Sequence, residues 1–259
     1  MGLSVVAEKI LIMNDSTGAG GPTGPTEPTG SATPTPDRST GTTGAIADYW
    51  DAAASTFDDE PDHGLKAEHT RTAWAQLVSS WSPNAPADVL DVGCGTGSIS
   101  LLLAESGHRV TGVDLAPRMI EQARRKLNAA GLPARFIVGD ASAPPTGGAH
   151  FDMVLSRHLV WTLPDPEAAL AEWCRQLRPG GRLVLVEGRW RESADTDSTY
   201  LVGAEPLPWS GGISAAELAT AVSPLVAEVR IEPLSGIEAL WGGPVHDERY
   251  ALIARTTRT

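Results

Sequence analysis

The stretch VLDVGCGTGSISLLLAESGHRVTGVD, residues 89–114, decides the fold. Apolar Val89 and Leu90 lead into glycines at 93, 95 and 97, and an apolar run at 99–103 follows. A short apolar strand, a tight turn and an apolar helical run make half of a βαβ unit. Glycine at Gly93, Gly95 and Gly97 leaves the backbone at the strand end bare, so something other than side chains must pack against it.

Working outward, strands are expected at 88–92, 109–113, 135–138, 151–156 and 182–187, with helices at 98–105, 116–130 and 165–177 between them. Strands alternating with helices imply a mostly parallel sheet covered on both faces. Two helices precede it, because Ile46, Trp50 and Ala53, and then Ala73, Leu77 and Trp81, recur at helical spacing. After a long loop at 188–212 come a helix at 214–221 and strands near 227–232 and 249–254, which read as an antiparallel ending. The fold class is therefore α/β: a Rossmann-like, seven-stranded, mostly parallel sheet with an antiparallel C-terminal strand and an N-terminal helical lid. The folded domain is expected over 45–259, with the lid helices in 45–82. Residues 1–44 are expected to form a disordered tail, since from Asn14 onward Gly, Pro, Thr and Ser offer almost nothing to bury.

The 259 residues carry a formal charge of −12 and a pI near 4.9. Nucleic acids and anionic membranes are held by clustered Lys and Arg, so neither is an expected partner, and a small molecule is. Nothing resembles an apolar span of the roughly 18 residues that crosses a bilayer. The apolar opening GLSVVAEKILIM lacks a basic leader and a small-residue cleavage site, and reads equally as an extension upstream of Met13. Cys94 and Cys174 have neither disulfide nor zinc spacing, which suits a reducing cytoplasm.

In an open α/β sheet the ligand lies beyond the carboxyl ends of the strands, where strand order reverses. A dinucleotide fingerprint needs G-x-G-x-x-G, but Ser98 stands where the third glycine belongs, which disfavours a nicotinamide cofactor. The motif DVGCGTG (91–97), the acid Asp114 ending the next strand, GDA (139–141) after the third, and LRPGG (177–181) before the fifth together resemble class I S-adenosylmethionine-dependent methyltransferases. The resemblance covers about residues 49–187 and extends in general character to methyltransferases of bacterial specialised metabolism. It implies S-adenosyl-L-methionine as cofactor, with Gly93 and Gly95 against its methionine part. Asp114 would accept from the ribose hydroxyls, or cap the helix that follows it. Asp140 would take the adenine amino group, with Ala141, Leu115 and Met119 around the ring, Met119 serving equally as core. Asp91 would face the ammonium end, and Tyr49, Ser156 and Arg157 the methionine moiety.

The acceptor side is read from SRHLVW (156–161), which departs from the Asn/Asp-Pro-Pro-Tyr signature of amino-directed methyltransferases of nucleic acids and proteins. Asp165 and Glu167 are placed to cap a helix rather than to ligate, so no metal is expected. His158 is the candidate base or acceptor-orienting group, the alternative being a loop hydrogen bond, and His63 on the lid is a second candidate. His69, His108, His150 and His246 read as surface or turn positions. Trp50, Trp161, Trp190, Tyr200, Trp209 and Trp241 are candidates for a flat apolar acceptor slot, some of them necessarily core. The expected function is methyl transfer to nitrogen or oxygen of a small aromatic or heterocyclic metabolite by a monomer or homodimer. Alternatives are a carbon methyltransferase of quinone or sterol type and a catalytically silent cofactor-binding protein.

Overall fold

The computed structural model describes residues 41–190 and 207–258. Three short elements lead into the sheet: helix α1 (Thr42–Ala53), a 3₁₀ turn (Phe57–Asp59) and helix α2 (Pro61–Gly64). Helix α3 (Glu68–Trp81) follows them. The alternating part comprises β1 (Asp88–Val92), α4 (Ser98–Glu105), β2 (Arg109–Asp114), α5 (Pro117–Ala129), β3 (Arg135–Val138), β4 (Phe151–Arg157), α6 (Pro166–Arg175) and β5 (Leu177–Arg189). Helix α7 (Ala215–Val222), β6 (Glu228–Pro233), α8 (Glu238–Trp241) and β7 (Glu248–Arg255) complete the chain.

The strands form one seven-stranded sheet in the order β3-β2-β1-β4-β5-β7-β6. β1 pairs in parallel with both β2 and β4, whereas β7 runs antiparallel to β5 and β6. Strand order therefore reverses between β1 and β4, and the crevice at their carboxyl ends is where a ligand is accommodated. Period-two alternation divides the core between the faces. In β4, Met153 and Leu155 join the cluster containing Trp74, Leu103 and Ile120, while Val154 joins the one containing Leu170 and Trp173. Helix α3 is fixed to the C-terminal part by two indole donors, Trp74 to the Leu240 carbonyl at 2.9 Å and Trp81 to the Glu232 carboxylate at 3.1 Å.

Two boundaries differ from those expected by three residues or more. The first described helix starts at Thr42, three residues before the expected start of the domain, because α1 takes its first turn from Thr42, Thr43 and Gly44. The rest of the tail expected to be disordered, residues 1–40, lies outside the described residues. β5 runs from Leu177 rather than 182, because Leu177 pairs with Phe151 ahead of an irregularity in the ladder.

Candidate active site

A large cavity opens at the β1/β4 switch point, and the glycine turn lines it. The amides of Gly93 and Cys94 both donate to the Val113 carbonyl, at 2.8 and 3.0 Å, folding the turn back over β2. Gly93 and Gly95 have φ of +67° and +53°, a region that side-chain-bearing residues seldom adopt. Packing adds a second constraint. A Cβ on Gly93 would lie 2.8 Å from the Leu159 methyls, and one on Gly97 would lie 2.8 Å from the Ala123 Cβ.

Asp114 serves two backbone donors at once, the Gly95 amide at 2.8 Å and the Ala116 amide at 2.9 Å. Burial pushes its carboxyl up to about 6, against the pull of those two amides. Each oxygen keeps a second lone pair, so the ribose and capping roles are compatible. Asp91 is buried, accepts from the Ser100 hydroxyl at 2.5 Å, and is likewise pushed up by burial to about 6. Asp140 is exposed and accepts from the Ser142 amide and hydroxyl at 2.8 and 2.7 Å through one oxygen. With Leu115, Met119 and Ala141 these acids line one half of the cavity.

The lid is latched to the turn. Lys126 binds Asp58 of the 3₁₀ segment at 2.9 Å, Ser98 at 2.7 Å and Thr96 at 3.0 Å, and the Thr96 hydroxyl donates to Asp58 at 2.5 Å. Phe57 sits directly over Gly95 and stacks on His63, ring centres 4.3 Å apart.

The other half is lined by Trp50, Trp161, Trp190, Asp62, His63, Arg157, His158 and Arg249. His158 is one of two non-glycine residues at positive φ among those described, at +56°. Its turn is held by the buried Glu187 carboxylate, which accepts from the Leu159 and Val160 amides at 2.9 and 3.1 Å. Burial pushes the Glu187 carboxyl up to about 8, so it is largely protonated at neutral pH. His158 titrates well below the usual histidine range, through burial first and the Arg157 charge second, and burial lowers His63 too. Both rings are neutral near pH 7.

Of the expected site residues, Asp91, Gly93, Gly95, Asp114, Leu115, Met119, Asp140, Ala141, Arg157, His63, His158, Trp50, Trp161 and Trp190 line the cavity. Five do not reach it or cannot be placed. Tyr49 packs instead into a small apolar cluster with Ile46, Trp161 and Leu207, and Ser156 points with Val154 away from the cavity, its hydroxyl fully buried. Trp209 packs against core clusters, and Trp241 is buried against Trp74 with its indole donating to the Leu234 carbonyl at 3.0 Å. Tyr200 lies outside the described residues. His108 lies at the turn between α4 and β2, where it is buried. Reading the sequence missed Asp62, Arg249 and Glu187. Only Glu187 left a signal, an acid closing the apolar run LVLV.

A Rossmann-like sheet with a glycine turn at its switch point and an acid closing the second strand is the arrangement of nucleoside-cofactor-binding folds. The methyltransferase-domain family model matches residues 90–185. The chain is 45% identical over 105 residues to a demethylmenaquinone methyltransferase of Thermus thermophilus, covering 40% of this chain and 48% of that one. It is 33% identical over 150 residues to the aklanonic acid methyltransferase DauC of Streptomyces sp., covering 56% and 66%. A solved structure concerned with conversion of a disulfide bond into a thioacetal group during echinomycin biosynthesis superposes with a TM-score of 0.52 at 29% identity, covering 72% of this chain and 82% of that one. The chain spans about half the length of the first curated relatives it matches. Residues 90–185 thus carry a methyltransferase domain, and the chain is similar to class I S-adenosylmethionine-dependent methyltransferases.

Proposed function

We propose that the protein transfers the methyl group of S-adenosylmethionine to a nitrogen or oxygen of a small, planar aromatic or heterocyclic metabolite. The observation that carries this reading is one cavity with two unlike halves. Acids Asp91, Asp114 and Asp140 line the part toward β1–β3, and indoles of Trp50, Trp161 and Trp190 line the part toward the lid. The acids suit the ribose, adenine and ammonium groups of the cofactor, whose sulfonium also favours a negative surround. The indoles suit a flat ring. Displacement at the methyl carbon is accelerated mainly by holding the acceptor lone pair in line in a dry site, and the closed lid supplies that exclusion of water.

The name of the Thermus relative favours a second reading, a quinone acceptor methylated on carbon. The name of the Streptomyces relative favours an acid akin to aklanonic acid as acceptor, in keeping with specialised metabolism. The protein acts on a diffusing small molecule as a monomer or homodimer in the cytoplasm. No described helix is long and apolar enough to cross a membrane. Incubation with S-adenosylmethionine and a panel of hydroxylated and aminated ring compounds, with mass detection of a methylated product, tests the proposal. Methylation of only linear, non-aromatic acceptors would refute it.

A further inference from the structure

Because β7 runs antiparallel to β5, its first residues lie beside the carboxyl ends of the parallel strands, and Arg249 stands opposite Gly188 of β5. Strand alternation puts its side chain on the face of Ala251 and Ile253, toward Trp74 and Trp241. There the guanidinium is held from three directions. Asp247 accepts from Nε at 2.8 Å and from Nη2 at 3.1 Å, and the guanidinium carbon lies over the Trp241 ring at 4.4 Å. Trp190 approaches to 5.7 Å, packed on a strand position that must be glycine, since a Cβ on Gly188 would lie 2.4 Å from its ring.

The pair with Asp247 uses one edge of the guanidinium and leaves the other bare. The side chain is 8% exposed, yet Nη1 has no hydrogen-bond partner among the described residues, and Arg249 lines the cavity. Buried donors are as a rule satisfied, so Nη1 and the second Nη2 hydrogen mark a place for an acceptor atom from outside the chain. The charges around it say of which kind. Asp91, Asp114 and Asp140 line the cavity toward β1–β3, whereas the charged groups lining the other half are Arg157, Arg249 and Asp62. Two cations against one carboxylate favour an anion in that half. In the sheet β7 stands three strands from β1, about 14 Å at the usual strand spacing, so the bare edge is remote from the glycine turn.

We infer that the Nη1–Nη2 edge of Arg249 seats a carboxylate of the methyl acceptor, and that the acceptor is a planar ring compound carrying this acid group as a handle at the end remote from the transferred methyl. The inference rests on the methyl-transfer reading and names its substrate class. Two parallel N–H donors in one plane match the two oxygens of a carboxylate, a geometry that a lysine ammonium does not offer. Asp247 and the two indoles fix the fork before the ligand arrives, so little side-chain freedom is lost on binding. The Trp190 ring, which approaches Arg249 on one side, meets the His158 ring edge-on at 4.8 Å between centres on another. One indole therefore connects the carboxylate seat to the end of β4, and the flat body of the acceptor lies along it.

Calorimetric titration of the S-adenosylhomocysteine-saturated protein with 6-hydroxy-2-naphthoate and with 6-hydroxy-2-naphthamide, which keeps the shape and lacks the charge, tests this. The carboxylate is expected to bind at least about tenfold more tightly, the value of one charge-assisted hydrogen bond. Arg249→Gln should abolish that preference, and Arg249→Lys, which keeps the charge without the fork, should reduce it by at least about threefold. In both variants S-adenosylhomocysteine affinity, which also reports folding, stays within about threefold of wild type. If Arg249→Gln fails to fold, the Arg249→Lys comparison decides alone. Equal binding of the two probes, binding of neither, or a preference undiminished in the variants overturns the inference. Failure of the wild-type protein to bind S-adenosylhomocysteine at all would instead overturn the methyltransferase reading beneath it.

Discussion

The Asp114 carboxylate accepts the Gly95 amide hydrogen at 2.8 Å, joining the end of β2 to the glycine turn that leaves β1. The same side chain thus shapes the turn and lines the cavity. Asp114→Ala is expected to weaken cofactor binding by about 2–4 kcal/mol, from the lost ribose bonds and the freed turn. The sheet should remain folded, since Asp114 closes a strand at the crevice. Titration with S-adenosylhomocysteine and a melting curve check both halves, and unchanged affinity would remove Asp114 from the ribose.

Asp58 is the lid end of the latch to Lys126 and Thr96. Asp58→Ala leaves the Lys126 ammonium partly buried without its carboxylate, so the lid should open more often. Faster proteolytic cleavage within residues 42–64 is expected, with protection restored by saturating S-adenosylhomocysteine. Cleavage at the wild-type rate would show that the latch does not govern opening.

Glu187 gives a pH dependence whose sign is fixed. Its carboxyl is pushed from 4.5 to about 8 in the folded protein, so the folded state binds more protons than the unfolded state between those values. Stability from this group therefore falls as pH rises from about 4.5 to about 8. Glu187→Gln keeps a side-chain oxygen for the Leu159 and Val160 amides and removes the titration. The melting temperature of wild type minus that of Glu187→Gln should fall steadily across this window, whereas a constant difference would contradict the buried, protonated carboxyl. Histidine titration acts in the opposite sense below about 6.5 but cancels in the difference, being common to both proteins.

Much of this was legible in the sequence because the signals are local. The glycines, Asp114 and Asp140 each sit at the carboxyl end of a strand whose apolar pattern is continuous, so order along the chain fixes position in the crevice. Asp165 is equally local and caps α6, accepting from the Ala168 amide at 3.0 Å. What was not legible depends on meetings between distant segments. Asp62 matters because the lid folds back onto β4, and Arg249 because β7 inserts between β5 and β6. Composition could not separate slot from core among the tryptophans. Trp161 and Trp241 have the same chemistry, and only packing puts the first on the cavity wall and the second behind His158.

The atom that receives the methyl group tests the account most directly. The measurement is the carbon-13 shift of product methyl after turnover with S-adenosylmethionine labelled in its methyl group, using planar phenols, enols and ring amines as acceptors. The account expects a signal of a methyl bound to oxygen or nitrogen, formed at a rate that collapses in His158→Ala while cofactor binding persists. A methyl bound to ring carbon, with wild-type turnover in His158→Ala, would contradict it.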